Sequence, residues 1–259
     1  MMGRKRMPHE GRELEGKVAI VTGAGRNIGR AIALDLADAG AAVVVNTRSN
    51  RSEADAVVGV IEQAGGRATV CLGDVADPKT GETLAQIAME RFGRLDILVS
   101  NAALRKETAF DAISFEEWRR ITGTVLDGAF HVTKACLPFL KQSGSGAIIT
   151  VGGMSGHTGA KHRAHVITAK SGLVGFTRAL AHEFAEFGIT VNCVVPGMID
   201  TPHGKVRGPA PAHYQFAQAL SGRKGTVEEL AGMVRYLCGP GARYVTGQDI
   251  HVNGGAYMG

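Results

Sequence analysis

The densest group of chemically capable side chains is Gly156–Lys170, GHTGAKHRAHVITAK, which carries His157, His162, His165 and Lys170, with Ser155 just before it. An imidazole exchanges its proton near neutral pH, so a histidine here could act as general acid or base. His165 and Lys170 are five residues apart, roughly 140° around a helix, which argues against joint action on one atom. His157 and Ser155 follow the end of a strand-like run and are the better-placed candidates. The ammonium of Lys170 suits ribose hydroxyls. The same residue types are also those of an ordinary polar loop, so the stretch alone assigns no role.

A second group is Thr22-Gly23-Ala24-Gly25-Arg26-Asn27-Ile28-Gly29, between the β-branched run Lys17–Thr22 and the helical apolar spacing of Ile28–Ala39. A backbone that approaches a pyrophosphate closely needs glycine. The N-terminus of the helix that follows offers free N–H groups and the positive end of its dipole. A glycine-rich turn is a weak signal alone and a strong one between a first strand and a first helix.

Strand-like and helix-like segments alternate around these groups. Strands are expected at 17–22, 42–46, 68–72, 95–100, 147–151, 190–195 and 249–252. Helices are expected at 28–39, 52–64, 79–92, 114–141, 163–187 and 226–238. The strands are nearly continuous apolar runs, as when both sheet faces are covered, and helical connections make them parallel. The expected fold class is therefore α/β: a single doubly wound parallel β-sheet in a Rossmann-type three-layer sandwich covering residues 17–259. Asp200–Ser221 breaks the rhythm with three prolines and two glycines, so a lid near 200–221 is expected over the ligand-binding edge of the sheet.

The 259 residues carry 29 basic and 24 acidic side chains, a net charge of +5. Arg4, Lys5, Arg6 and Arg12 account for part of that excess, and residues 1–16 read as a disordered basic extension. No stripe of basic and aromatic residues points to nucleic acid. No apolar run suggests a signal peptide or reaches the ~18 residues of a membrane span. Cys71, Cys136, Cys193 and Cys238 lie far apart without metal-ligand spacing, so buried free thiols, no metal and a cytoplasmic location are expected.

The turn TGAGRNIG resembles the TGxxxGxG of the short-chain dehydrogenase/reductase family, with Asn27 at the middle glycine. Asn is the non-glycine residue best able to take φ > 0. Gly73-Asp74-Val75 is similar to that family's adenine-contacting segment, and Asn101-Ala102-Ala103 to its Asn-Ala-Gly. Pro196-Gly197 and Val252-Asn253-Gly254-Gly255 match later motifs. The resemblance runs from Lys17 to the end. It implies nicotinamide-dinucleotide contacts from Gly23, Arg26, Asn27, Ile28, Gly29, Arg48, Asp74, Val75, Asn101, Ala102, Lys170, Pro196, Gly197 and Thr201. The second strand ends Val45-Asn46-Thr47-Arg48 without the carboxylate that usually holds a free ribose diol. With Arg26 and Arg48 nearby, NADP(H) is expected over NAD(H).

The resemblance also implies a Tyr, Lys, Ser and Asn active site. Lys170 keeps its place in the YxxxK frame, but Val166 stands for Tyr, Gly153 for Ser and Val125 for Asn. Similar relatives that reduce C=C bonds of acyl thioesters also lack that Tyr. Lys170, His157 and Ser155 are the candidate catalytic residues for a small carbonyl or enoyl substrate, in a sequence that resembles β-ketoacyl-carrier-protein reductases. An inactive cofactor-binding homologue or sensor, and a lyase or hydrolase using the His-rich stretch, remain alternatives. The series Val166, Ala169, Leu173, Phe176, Leu180 and Phe184 marks a packed helix face. Family relatives pair subunits through this helix, which implies a homotetramer or homodimer.

Overall fold

The computed structural model describes residues 11–201 and 219–259. Its centre is one seven-stranded parallel sheet in the order β3-β2-β1-β4-β5-β6-β7. The strands are β1 (Val18–Val21), β2 (Ala42–Thr47), β3 (Ala68–Leu72), β4 (Ile97–Ser100), β5 (Ala147–Val151), β6 (Thr190–Pro196) and β7 (Asp249–Val252). The five inner strands are wholly buried and only the edge strands β3 and β7 are partly exposed. That is why the inner sequences are unbroken apolar runs.

Successive side chains of a strand point to opposite faces. Ala19 and Val21 of β1 pack with α1 (Asn27–Asp38), α2 (Arg51–Gln63) and α8 (Val227–Cys238). Val18 and Ile20 pack with α3 (Pro78–Phe92), α5 (Gly128–Ser143) and α7 (Ala164–Phe184). The three layers follow directly from that alternation. The strand order reverses at β1, whose neighbours β2 and β4 run off to opposite sides. A crevice at the carboxyl ends of β1 and β4 is where such sheets bind ligands.

Two expectations change, and a third falls mostly outside the described residues. Residues 11–16 do not belong to an extension: Leu14 is 1% exposed and its N–H bonds to Ala39 O at 2.9 Å. Glu13 joins Asp35 of α1 around Arg235 of α8, at 2.7 and 2.9 Å. Residues 1–10 lie outside the described residues. The single helix expected at 114–141 is broken into α4 (Phe115–Thr122), a π-helical turn (Gly123–Asp127) and α5. The lid expected near 200–221 lies mostly outside the described residues. Its flanks are fixed, since Asp200 N bonds to Gly225 O and Ser221 N to Gly254 O.

The helix expected at 163–187 is α7 followed by a short 3-10 turn, closed by Gly188 at φ 66°. All four cysteines are buried and unbridged. Among the described residues no helix is long and apolar enough to cross a membrane, and no group of three or more His, Cys, Asp or Glu could hold a metal.

Candidate active site

The turn after β1 is held by its neighbours. Thr22 Oγ1 accepts the N–H groups of Asn101 and Ala102 at 3.0 and 3.1 Å. The Asn101 amide donates to the carbonyls of Thr22 and Gly23, so this residue braces the turn from β4. Gly23 takes φ 63° and Asn27 φ 49°, the left-handed region that the sequence required of Asn27. A Cβ at Gly29 would lie 2.2 Å from Gly23 O, so only glycine fits. Arg26 precedes α1 without a side-chain cap, which leaves the first-turn N–H groups of Asn27, Ile28 and Gly29 for an outside acceptor. The site fits a diphosphate.

At the adenosine end, Arg26 lies 3.8 Å from Glu53 of α2, and Arg48 is exposed. No carboxylate comes from β2, but the fold brings Glu53 from the next helix. Asp74 Oδ1 caps its own turn through Ala76 N, and Val75 is buried under Gly128. Sequence reasoning passed over Asn46. Its amide donates to Cys71 O and Gly73 O, while its oxygen accepts Gly23 N at 3.4 Å, linking the turn to β3. A polar residue closing an apolar strand was the available signal. Near the opposite end, Gly197 touches Asn253, where a Cβ would meet Asn253 Cβ at 2.6 Å. Thr201 is half-buried where the described residues break off.

Between these ends lies a cavity of about 120 Å³, with Arg105, Gly153, Ser155, Arg163, Val166 and Lys170 in its lining. Lys170 is buried and its Nζ donates to Val151 O at the end of β5. Burial pulls the ammonium down to about 8, and Arg105 and Arg163 push the same way against a counter-effect of Cys193. Ser155 opens the short helix α6 (Ser155–Thr158) and faces the cavity. His157 does not line it. Its ring packs 4.7 Å from His251 and 5.7 Å from Tyr257. His165 is fully buried; Nδ1 accepts Val166 N, so Nε2 carries the proton and donates to Glu117 at 2.9 Å.

Comparison with known proteins places this geometry. The enoyl-(acyl carrier protein) reductase family model matches residues 23–257. The chain is 39% identical over 245 residues to a 3-oxoacyl-(acyl-carrier-protein) reductase of Vibrio cholerae, covering 95% of this chain and 99% of that one. It belongs to the short-chain dehydrogenase/reductase family. The Escherichia coli K12 3-oxoacyl-(acyl-carrier-protein) reductase is 38% identical over 244 residues, covering 94% of this chain and 98% of that one. A short-chain dehydrogenase from Burkholderia cenocepacia, solved in complex with NADP, superposes with a TM-score of 0.88 at 31% identity, covering 94% and 99% of the two chains. A Brucella melitensis short-chain dehydrogenase/reductase gives 0.86 at 33%, covering 96% and 100%. The chain is thus a member of an oxidoreductase family.

Within this short-chain dehydrogenase/reductase frame, Val166 and Gly153 face the same cavity as Lys170. Val125 sits on the π-helical turn and packs with Ala129, Ala169 and Leu173 instead. Besides Asn46, three residues escaped the sequence reading: Arg105, Arg163 and Glu117. Each was visible only as one more charge in a polar stretch, and no local pattern links residues so far apart along the chain.

Proposed function

We propose that the protein is an NADP(H)-dependent oxidoreductase acting on a small carbonyl or enoyl substrate, with Lys170 in place of the missing tyrosine as proton donor. The observation that carries this reading is Lys170 itself, a buried amine lowered to about 8 that lines the cavity beside Val166 and Gly153. Gly23, Asn27, Ile28 and Gly29 would hold the cofactor diphosphate, and Arg26 with Arg48 its 2′-phosphate. The reduced nicotinamide, when bound, supplies a hydride to carbon.

The substrate oxygen then needs one proton. An ammonium with a pKa near the working pH can give it, where valine and glycine cannot. Ser155, which lines the cavity, would hydrogen-bond the same oxygen. His157, turned toward His251 and Tyr257, is left out of this scheme, which also weakens a histidine-based lyase or hydrolase reading.

The test is NADPH oxidation across ketones, free oxo acids, enones and acyl thioesters at several pH values. Turnover that falls as pH rises through about 8 is expected as Lys170 loses its proton. No oxidation with any of them would sink the proposal. The apolar pair Val166 and Gly153 favours one rival, a cofactor-binding homologue without turnover. That rival requires NADPH binding with no oxidation. Phe130 on α5 and Phe115 on α4 are 48% and 70% exposed, which supports subunit pairing on this side as a dimer or tetramer. Four buried thiols support a reducing, cytoplasmic setting.

A further inference from the structure

Three positive side chains meet at the cavity. Arg105 comes from the segment after β4, Arg163 from the turn before α7, and Lys170 from α7 itself. No Asp or Glu is among the described residues that line the cavity. The three are close enough to act on one another, since Arg105 and Arg163 both press the Lys170 ammonium toward its neutral form. Arg163 Nε is out of solvent and has no hydrogen-bond acceptor among the described residues. A buried guanidinium N–H without an acceptor costs stability, and Arg163, itself half-buried, carries one beside the exposed Arg105 and the buried Lys170. A fold that keeps the Arg163 N–H open has a use for it when an acceptor arrives.

The arms are built rather than incidental. Glu117 of α4 takes hydrogen bonds from Lys106 and Thr108, close along the chain to Arg105, and from His165, two residues after Arg163. Thr108 N bonds to His162 O at 2.8 Å and ties the two segments together. The cofactor's ribose accounts for Lys170 but not for the two arginines. Its diphosphate is provided for by the turn before α1 and its adenosine end by Arg26 and Arg48. The cluster stands instead where the family frame puts substrate, next to Val166, Gly153 and Lys170.

We propose that Arg105 and Arg163 form a carboxylate-binding subsite, so that the protein acts on substrates with a free carboxylate beside the reacting carbon, such as 2-oxo or 3-oxo acids. Neutral ketones and acyl thioesters lack that anion and are disfavoured. A planar guanidinium fork matches the two oxygens of a carboxylate, and a cavity of about 120 Å³ suits a short acid. The proposal rests on the oxidoreductase reading above for its substrate class, while the binding of a carboxylate stands independently of turnover.

Two measurements separate these claims. In the first, NADPH oxidation is followed with pyruvate, 2-oxobutanoate and acetoacetate, each against its methyl ester. The acids are expected to exceed the esters by about tenfold or more in kcat/KM, and Arg105→Gln or Arg163→Gln to collapse that ratio, mainly through KM. In the second, oxamate is titrated calorimetrically into the NADPH-loaded protein. Saturable binding is expected, weakened about tenfold or more in each variant. Should Arg163→Gln fail to fold, Arg163→Lys keeps the charge, loses the fork, and is expected to fall between the two. Esters used as well as acids, or oxamate binding that ignores both arginines, would overturn the subsite. Arginine-dependent oxamate binding without any turnover would uphold the subsite and remove the oxidoreductase reading.

Discussion

The carboxylate of Glu117 lies 2.9 Å from Nε2 of His165, and the same carboxylate holds Thr108 at 2.6 Å and Lys106. One acidic side chain of α4 therefore fixes the start of α7 against the segment that carries Arg105. Both walls of the cavity hang on it. His165, fully buried and committed to this bond through its Nε2–H, is a positioning residue and not an acid or base.

Hydrogen bonds from Lys106 first, then from Thr108 and His165, hold the Glu117 carboxyl down to about 2. A carboxyl lowered on folding adds stability that is complete above its ordinary value of 4.5 and is lost as pH falls toward 2. Glu117→Gln should therefore lower Tm at pH 7 by roughly 2–5 °C, with the gap to the parent closing below pH 4.5. Thermal melts of both proteins from pH 7 to pH 3 check this. A gap that stays constant with pH would separate the loss from the charge of Glu117.

Lys170 works in the opposite sense. Its folded value of about 8 lies below the ordinary 10.5, so between those values the folded protein binds fewer protons than the unfolded chain. The penalty is complete below pH 8 and is relieved as pH rises to 10.5. Lys170→Met should raise stability at pH 7 by roughly 1–2 kcal/mol once the lost bond to Val151 O is discounted. The gain should shrink toward pH 10.5, while NADPH oxidation disappears. Urea melts at pH 7 and 10 with a parallel activity assay measure both. A less stable variant at pH 7 would contradict the buried-charge account.

The order of elements, the parallel sheet and the phosphate turn were legible in the sequence because each rests on local chemistry: apolar runs, glycine spacing, and Asn27 where φ is positive. Leu14 was misread because a short polar segment hides one buried side chain, and Glu13 and Asp35 meet Arg235 only after folding. The π-helical turn was passed over because one widened turn does not interrupt the run of helix on either side, although Gly123, Thr124, Val125 and Asp127 are weak helix formers. The cavity was half legible. Val166, Gly153 and Lys170 can be placed by register, whereas Arg105, Arg163 and Glu117 acquire meaning only through contacts across the fold. His157 shows the converse, a promising residue in sequence that the fold turns toward β7.

At the adenosine end, Glu53 sits 3.8 Å from Arg26 and competes with any phosphate for that guanidinium. Arg26→Ala and Arg48→Ala should each weaken NADPH binding by about five- to tenfold while changing NADH binding far less. Glu53→Gln should move NADPH affinity the other way. Fluorescence titrations with both nucleotides read the ratio directly, and equal losses for NADPH and NADH would refute the assignment of these arginines to a 2′-phosphate.

A Cβ added at Gly153 would meet only Lys170 Cγ, at 3.8 Å, which is ordinary contact. Serine therefore fits there without disturbing the fold, and Gly153→Ser should leave Tm within about 2 °C of the parent. Val166 faces the cavity one helical turn before Lys170, so Val166→Tyr would set a phenol beside a cation that lowers its pKa. The double variant Gly153→Ser, Val166→Tyr restores a proton donor and an orienting hydroxyl together. It should raise NADPH-dependent reduction of a neutral methyl ketone by about 10²-fold at pH 7, because a positioned general acid contributes that much. If free oxo acids are the substrates and Lys170 their proton donor, their reduction should gain less. If the ketone rate does not rise while the variant folds and binds NADPH, the limit on neutral substrates lies in the cationic wall and not in the missing tyrosine.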